Sequence, residues 1–472
     1  MQGLEAQLLE FFGEISAVLW GWPLLLPLVI TGLLYTIGLK GIQFTGLKKA
    51  ITLTFFSKKD DDHVDGDGDI SHFQALMTAL SATVGTGNIA GVATAVTLGG
   101  PGAIFWMWLT GFIGMATKYA EATLGVHYRE KHESGEYSGG PMYYIIHGLS
   151  KNWHFLAYAF AFFLFVAALG IGNMVQTNSM ADVMESTFRV QPWVTGIIVV
   201  IFTGLVVIGG IKRIADVAST IVPTMIVIYL VAGLTILILN YDKIDDVLAL
   251  IFNDAFDSID ALLGGVIGDV VSKGVGRGVF SNESGMGSAP IVAAAAKTDH
   301  PVSQALVSMT QTFIDTIIVC TFTGLIIVMS GLAAEVSVGG AALTGSAFSE
   351  GLNNATFLGY EIGELIITIT LIFFVFSTII GWYYYGEKGF AFLFGDNKIL
   401  LYKVAFLIVA FLGSIMTIKL AWTLAEVFTA LMILPNVIAL VLLNGKVRSL
   451  TKDYFIHNDS GKYTVKPFHN EP

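Results

Sequence analysis

The sequence predicts an all-α polytopic membrane protein. Eleven transmembrane helices are expected, ten of them forming two inverted sets of five (a 5+5 repeat) behind an extra N-terminal helix. Three observations carry this. Of 472 residues, 54% are hydrophobic and only 13% charged, about half the charged share of a soluble domain. Eleven apolar runs of membrane length follow one another. Two of them, in matching positions, have polar, glycine-rich centres. With a mean hydropathy of +0.72, a soluble chain would lack the polar surface to cover its core. That excludes a cytosolic enzyme and a disordered protein. A net charge of −11 argues against a nucleic-acid partner. The single Cys320 excludes a disulfide framework and a cysteine metal site, and its apolar surroundings predict a buried, inert thiol.

The runs cover 15–39, 72–98, 101–128, 152–180, 192–211, 216–239, 262–296, 301–330, 363–386, 399–418 and 421–444. Their length indicates helices rather than barrel strands, which would be about ten residues with strict alternation. The first run is a span and not a leader, because Glu5, Glu10 and Glu14 stand where a basic region belongs. The chain divides into 1–71 (extra helix and loop), 72–239 (first repeat), 240–261 (external acidic loop), 262–444 (second repeat) and 445–472 (tail). Placing the N-terminus outside puts 19 of the 25 Lys and Arg residues in cytoplasmic segments, as the positive-inside rule requires. The C-terminus is then cytoplasmic, and the protein is a multi-pass component of the cell (inner or plasma) membrane, with the bilayer as its partner. No obligate protein partner is evident. The acidic run Asp60–Asp69 lacks the spacing and terminal Glu of a calcium loop and reads as a solvated cytoplasmic loop.

The second run has Ser81-Ala82-Thr83-Val84-Gly85-Thr86-Gly87-Asn88 at its centre. The seventh has Gly274, Gly276, Gly278 and then Phe280-Ser281-Asn282-Glu283-Ser284-Gly285. A glycine costs a helix about 1 kcal/mol against alanine. Clustered at bilayer depth, these residues indicate helices meant to open. Freed N–H and C=O groups cannot face lipid and must line a cavity. Tight helix packing is the other use of membrane glycines. It suits Gly111 and Gly114, but leaves the polar residues among these glycines unexplained. If the first run is an extra helix, runs 2–6 and 7–11 each open on a broken helix. An odd number of spans per set inverts one against the other, with a midplane site between the breaks.

SATVGTGNIAGVATA in run 2, Gly99–Gly125 in run 3, GVFSNESGMGSAPIVAAAA in run 7 and Phe376–Gly389 in run 9 resemble the alanine or glycine:cation symporter family. The resemblance spans nearly the whole chain. It implies sodium-driven import of alanine and glycine, with sodium as the coupling ion and no organic cofactor, on an architecture similar to the leucine-transporter fold. By that resemblance, Gly85, Thr86 and Gly87 offer N–H groups to a substrate carboxylate, within a Val-Gly-x-Gly-Asn run that Asn88 closes. The Ser81 and Val84 carbonyls and the Ser377 and Thr378 hydroxyls hold sodium, a hard cation that oxygen ligands suit. Back-bonding to the i−4 carbonyl is the other reading of both hydroxyls. Gln176 is assigned to the substrate pocket, with an interhelical hydrogen bond as its alternative. Phe280 and Trp382 are walls limiting side-chain size, or plain packing.

Charges within spans cost about 2.5–3.5 kcal/mol each on insertion scales. Asp269 and Lys273 have the spacing of a pair. Glu283 is open to gating, to pairing with Arg277 or to touching the substrate amine. Asp315 neutralises a cation or serves a cation site. Mutual pairing in the interior is the reading favoured for all of these. Lys118 and Glu121 read as an orienting pair, and Glu426 has no partner evident from sequence. Neither a catalytic constellation nor a phosphate loop is present, so the chain reads as no enzyme and transport is driven by the ion gradient. A sodium-independent exchanger of the same fold, an ion channel and a non-transporting sensor are the rival functions.

Overall fold

The computed structural model describes residues 2–56, 67–132, 135–263, 269–334, 340–416 and 419–457 as helices joined by short connections. The first apolar run is carried by α1 (Gln2–Leu19) and α2 (Trp22–Gly38). They part at Gly21 and Pro23, because proline has no N–H to continue the ladder. The second run starts at α3 (His72–Thr83), where Ser71 and Gln74 form a reciprocal capping box. It resumes after the break as a π-helical turn, Gly87–Gly91, leading into α4 (Val92–Gly99). The two halves are bent by 53°. Next come α5 (Ala103–His127), the short α6 (Pro141–Gly148), α7 (Phe155–Leu169), α8 (Val175–Phe188), α9 (Pro192–Val207) and α10 (Gly210–Leu239).

The expected acidic loop 240–261 is largely α11 (Ile244–Leu263). Val247, Ile251 and Ala255 recur every four residues and are buried, so one face packs while the acids stay outside. Asp254 on this helix accepts a hydrogen bond from the Gly102 N–H at 2.7 Å. That places a negative charge at the N-terminus of α5, where the helix dipole favours it.

The second half opens with α12 (Asp269–Asn282), whose break leads to α13 (Ala289–Ala293). It continues with α14 (Pro301–Thr312), a π-helical stretch at Phe313–Cys320, α15 (Thr321–Ser330), α16 (Gly340–Gly351), α17 (Ile362–Phe394), α18 (Ile399–Ile415), α19 (Lys419–Leu442) and α20 (Asn444–His457). Two short antiparallel hairpins, Glu130–Lys131 with Tyr137–Ser138 and Thr356–Phe357 with Tyr360–Glu361, close loops.

Among the described residues, seven helical stretches are long and apolar enough to cross a bilayer, and the bent α3–α4 pair makes an eighth. These match eight of the eleven predicted runs. The other three are helical but less plain. α5 carries Lys118 and Glu121, α9 has 16 residues, and the seventh run is opened by its polar break. Two helices organise the interior. α5 packs against α2, α12, α13 and α14, while α17 packs against α3, α7, α8, α10 and α16. Most of the acidic run, including Asp60–Asp65, lies outside the described residues. Its last member, Asp69, accepts a hydrogen bond from the Tyr137 N–H at 2.9 Å. Burial pushes that carboxyl up from the ordinary range.

The tail also begins as structure. On α20, Thr451 meets the Tyr119 hydroxyl at 2.9 Å, and Asp453 lies 3.7 Å from the His300 ring. His300 Nδ1 accepts from the Val302 N–H at 3.1 Å and so caps α14. Burial pushes the His300 pKa down to about 4, against the pull of Asp453. A second ring proton would also displace the Val302 bond. Below pH 6.5 the unfolded chain therefore takes up a proton here that the folded chain refuses until about pH 4, and stability falls as pH drops through that window. Thermal unfolding of wild type and His300→Asn between pH 7.5 and 5 checks this. The wild-type midpoint is expected to fall more steeply, and parallel curves would refute it.

Candidate substrate site

At the first break, α3 ends with Val84 in an extended conformation. In an unbroken helix the Gly85 N–H would bond the Ser81 carbonyl. Here it donates to Asn88 Oδ1 at 2.9 Å. The diversion releases the carbonyls at the end of α3. Thr86 and Gly87 open the second half, where N–H groups lack intrahelical acceptors. One side of the break thus offers oxygens to a cation and the other offers donors to an anion.

At the second break the freed groups find protein partners. The Glu283 carbonyl accepts from Lys118 Nζ at 3.1 Å. The Gly287 N–H donates to Glu121 Oε1 at 2.9 Å. Asn436 Nδ2 donates to the Gly285 carbonyl at 2.8 Å and to Glu121 Oε1 at 2.7 Å. The Ser284 N–H donates to Asn282 Oδ1 at 2.9 Å. Lys118 and Glu121 are wholly buried, so the predicted orienting pair orients the backbone of the break. Glu283 has a left-handed φ of +56°, and its carboxylate accepts from Ser288 Oγ at 2.6 Å.

The breaks are tied together. Asn88 Nδ2 donates to Asp315 Oδ1 at 2.7 Å and to Ser281 Oγ at 3.1 Å. Ser281 and Thr316 donate to Asp315 Oδ2 at 2.9 and 2.8 Å. The Cys320 sulfur lies 3.3 Å from both Asn88 Nδ2 and Ser281 Oγ. π-Helical turns at Gly87–Gly91, Gly170–Met174 and Phe313–Cys320 carry Asn88, Ile171 and Asp315 respectively. Such turns recur at functional sites because they re-aim side chains.

Between the breaks lies a cavity of about 20 Å³, room for roughly one water. Gly85, Thr86, Gly87, Gln176, Phe280, Trp382 and Thr378 all line it. Asn88 does not, since its amide is engaged as described. Gln176 Nε2 donates to Thr86 Oγ1 at 3.2 Å and to the Ile171 carbonyl at 3.1 Å. Its Oε1 is buried with no partner, an acceptor available to an ammonium group. Ala82, Thr83, Ile171, Glu283 and Met286 complete the lining. Glu283 was accessible from sequence as an acid in a break. Ile171 and Met286 carry no such mark.

Of the expected sodium ligands, Thr378 faces the first break. A Cβ on Gly85 would fall 2.5 Å from its Oγ1. Ser377 sits on the other side of the turn, 3.6 Å from Met225 Sδ. Both hydroxyls donate to the Phe374 carbonyl at 2.9 Å, the alternative reading of that pair. Their oxygens keep lone pairs after donating. α17 also approaches α3 closely at Gly381, where a Cβ would lie 2.8 Å from Ser81 Oγ.

Beside this site, towards α1, a second cavity of about 340 Å³ shares Phe280 as a wall. Phe280 lies between Trp20 and Trp422, each 6.3 Å away between ring centroids. Arg277 sits 3.7 Å from Glu426, which also accepts from Ser16 Oγ at 3.1 Å. Glu426 therefore has the partners that sequence could not name. The Asp269 side chain, and with it the expected Asp269–Lys273 pair, lies outside the described residues.

Facing helix breaks around a small cavity, inside an apolar helical bundle, define a multi-pass membrane transporter. The solved structure of MhsT in complex with L-phenylalanine has the same fold, with a TM-score of 0.56 over 83% of this chain and 99% of that one at 14% identity. The family model described as the sodium:alanine symporter family matches residues 5–467. The chain is 50% identical over 448 residues to the sodium/alanine symporter AgcS of Methanococcus maripaludis, covering 93% of this chain and 96% of that protein. It is 36% identical over 461 residues to the probable sodium/glutamine symporter GlnT of Bacillus subtilis, covering 97% and 93%. The chain belongs to the sodium:alanine symporter family, and it is an amino-acid transporter rather than an enzyme.

Two outcomes follow from the packing. Gly85→Ala drives a methyl group into Thr378. Overpacking costs about 1–3 kcal/mol, so amino-acid binding is expected to weaken about tenfold or more. Equilibrium binding to purified protein reads this, and an unchanged affinity would sink it. Lys118→Met removes the cation held against the Glu283 carbonyl and the nearby acids. Breaking such a buried arrangement costs about 3–5 kcal/mol, so a lower unfolding midpoint is expected. An unaltered midpoint would show that Lys118 does not support the break.

Proposed function

We propose that this protein is a sodium-coupled symporter that imports small neutral amino acids, alanine and glycine, by alternating access around the cavity between the breaks. Eleven membrane segments are read as one extra helix and two inverted sets of five, over 72–239 and 262–444. The N-terminus is outside the cell membrane and the C-terminus is in the cytoplasm. Sodium and the amino acid are both cargo.

The observation that carries this reading is the unequal treatment of the two breaks. The second closes on its own partners, whereas the first leaves carbonyls on one side and N–H donors on the other. A substrate carboxylate is assigned to the N–H groups of Thr86 and Gly87, and its ammonium to Gln176 Oε1. Gly85, with its N–H on Asn88, acts by letting Thr378 approach. Sodium is assigned to the Ser81 and Val84 carbonyls with the Thr378 hydroxyl, while Ser377, turned towards Met225, is left out of the set. Held there, the ion bridges α3 to α17 and orders the substrate site beside it. Trp382, Phe280, Ile171 and Met286 are the apolar walls that a substrate side chain would meet.

Uptake of radiolabelled alanine and glycine into proteoliposomes tests this. Accumulation is expected with an inward sodium gradient and not when potassium replaces sodium. Thr378→Ala is expected to raise the sodium concentration for half-maximal uptake about tenfold, and Thr378→Ser to retain near wild-type dependence, in line with loss of one of a few oxygen ligands. Equal uptake with and without sodium would favour an exchanger instead.

A further inference from the structure

Two exposed stripes meet where the chain leaves the apolar bundle. α2 and α19 both belong to stretches long and apolar enough to cross the membrane. Near their ends the Tyr35 hydroxyl donates to the Leu440 carbonyl at 2.6 Å, so the chain emerges from both on the same side. Beyond α2 it continues as helical turns, Ile42–Thr45, Leu47–Ile51 and Thr52–Phe56. Phe44, Lys48 and Phe55 are exposed there, at spacings of four and seven that share a helix side. Beyond α19, α20 exposes Arg448, Lys452 and Phe455, spaced four and three apart. The single acid of α20, Asp453, is buried on its other side, 3.7 Å from His300, and residues 40–56 contain no acid. The stripes touch. A Cβ at Gly38 would fall 2.4 Å from Arg448 Nη2, and Lys49 Nζ lies 4.3 Å from the centre of the Tyr454 ring. Cations alone would suit water, and exposed aromatic rings alone would suit hydrocarbon. Interleaved at the end of a membrane span, they match the boundary where anionic headgroups meet acyl chains.

We propose that the two stripes form one binding surface for an anionic phospholipid. The headgroup phosphate sits among Lys48, Arg448 and Lys452, where an arginine can take two of its oxygens at once. The acyl chains lie along Phe44, Phe55 and Phe455. The lipid thereby holds α20 against the bundle. Thr451 and Asp453 on that helix already meet Tyr119 of α5 and His300 at the start of α14, so the lipid supports the two helices that flank the second break.

A ligand that binds only the folded chain raises its unfolding temperature. Thermal unfolding of the purified full chain in a neutral detergent is therefore followed while phosphatidylglycerol, or phosphatidylcholine with the same acyl chains, is titrated in. Phosphatidylglycerol is expected to raise the midpoint and phosphatidylcholine to leave it nearly unchanged. Arg448→Gln is expected to raise the phosphatidylglycerol concentration needed for half of the shift about fivefold, and Arg448→Gln with Lys452→Gln about 25-fold. Arg448→Lys keeps it near the wild-type value. Lys398→Gln makes the same change of charge at an exposed site between α17 and α18 and leaves the requirement unaltered. Glycerophosphoglycerol, the headgroup without its chains, gives no shift. Equal shifts from the two lipids, an unaltered requirement in the double variant, or an effect of Lys398→Gln as large as that of Arg448→Gln would overturn the surface. A shift from the headgroup alone would overturn the lipid as its occupant.

Discussion

The structure depends on one constraint, that backbone polar groups freed at bilayer depth must find partners. An unsatisfied amide there costs several kcal/mol. The second break meets the constraint with side chains from two other helices. Lys118 and Glu121 come from α5 and Asn436 from α19, and between them they take the carbonyls of Glu283 and Gly285 and the N–H of Gly287. Charges that look unfavourable in a membrane helix are retained because uncapped backbone would be worse. At the first break Asn88 caps the Gly85 N–H, and Thr323 and Thr344 cap the Asn88 and Ile89 carbonyls. Ala82, Thr83, Thr86 and Gly87 line a cavity, and in the proposed function cargo serves as their partner there. Binding then replaces missing protein hydrogen bonds, which gives the empty and loaded states different conformational preferences.

Asn88 links this local arrangement to the whole. One side chain diverts the Gly85 N–H, donates to Ser281 at the other break and reaches Asp315 on the π-helical stretch after α14. The two breaks therefore cannot shift independently without losing buried hydrogen bonds. A small change at Gly85 is felt at Ser281, one residue from the wall Phe280. This contiguity is the physical means by which filling the site could bias the position of that ring.

Much of this was legible in the sequence because it is written in local chemistry. Clustered glycines among polar residues marked both breaks. Gly85, Thr86, Gly87, Gln176, Phe280 and Trp382 line one cavity, whereas Asn88, expected with them, does not. What was not legible depends on distance along the chain. Nothing near Lys118 or Glu121 points to Glu283 and Gly287, about 165 residues away, and Glu426 meets Ser16 from 410 residues away. The fork between Ser377 and Thr378 was equally hidden. Adjacent residues on a helix point about 100° apart, and only the packing of α10 and α3 shows that one meets Met225 and the other the break. The expected acidic loop at 240–261 misled for a different reason. Its charges suggested a loop, while the four-residue spacing of Val247, Ile251 and Ala255 already specified a packed helix face.

The two aromatic walls of the cavity differ in how freely they can move, and that difference bears on selectivity. Trp382 is buried and packs against Gly172, where a Cβ would lie 2.2 Å from the Trp382 Cβ. No space is left behind it, so it cannot retreat to admit a longer side chain. Phe280 is only half-buried. It faces Trp20 and Trp422 across ring contacts that hold apart two cavities rather than two packed surfaces. Moving it trades one aromatic contact for another at about 0.5–1.5 kcal/mol each, well within the reach of substrate binding. In the proposed function, then, the fixed wall sets which amino acid fits and the movable one sets how readily the cavity opens. A change of substrate size would have to begin at Gly172 and Trp382, and a change of rate at Phe280.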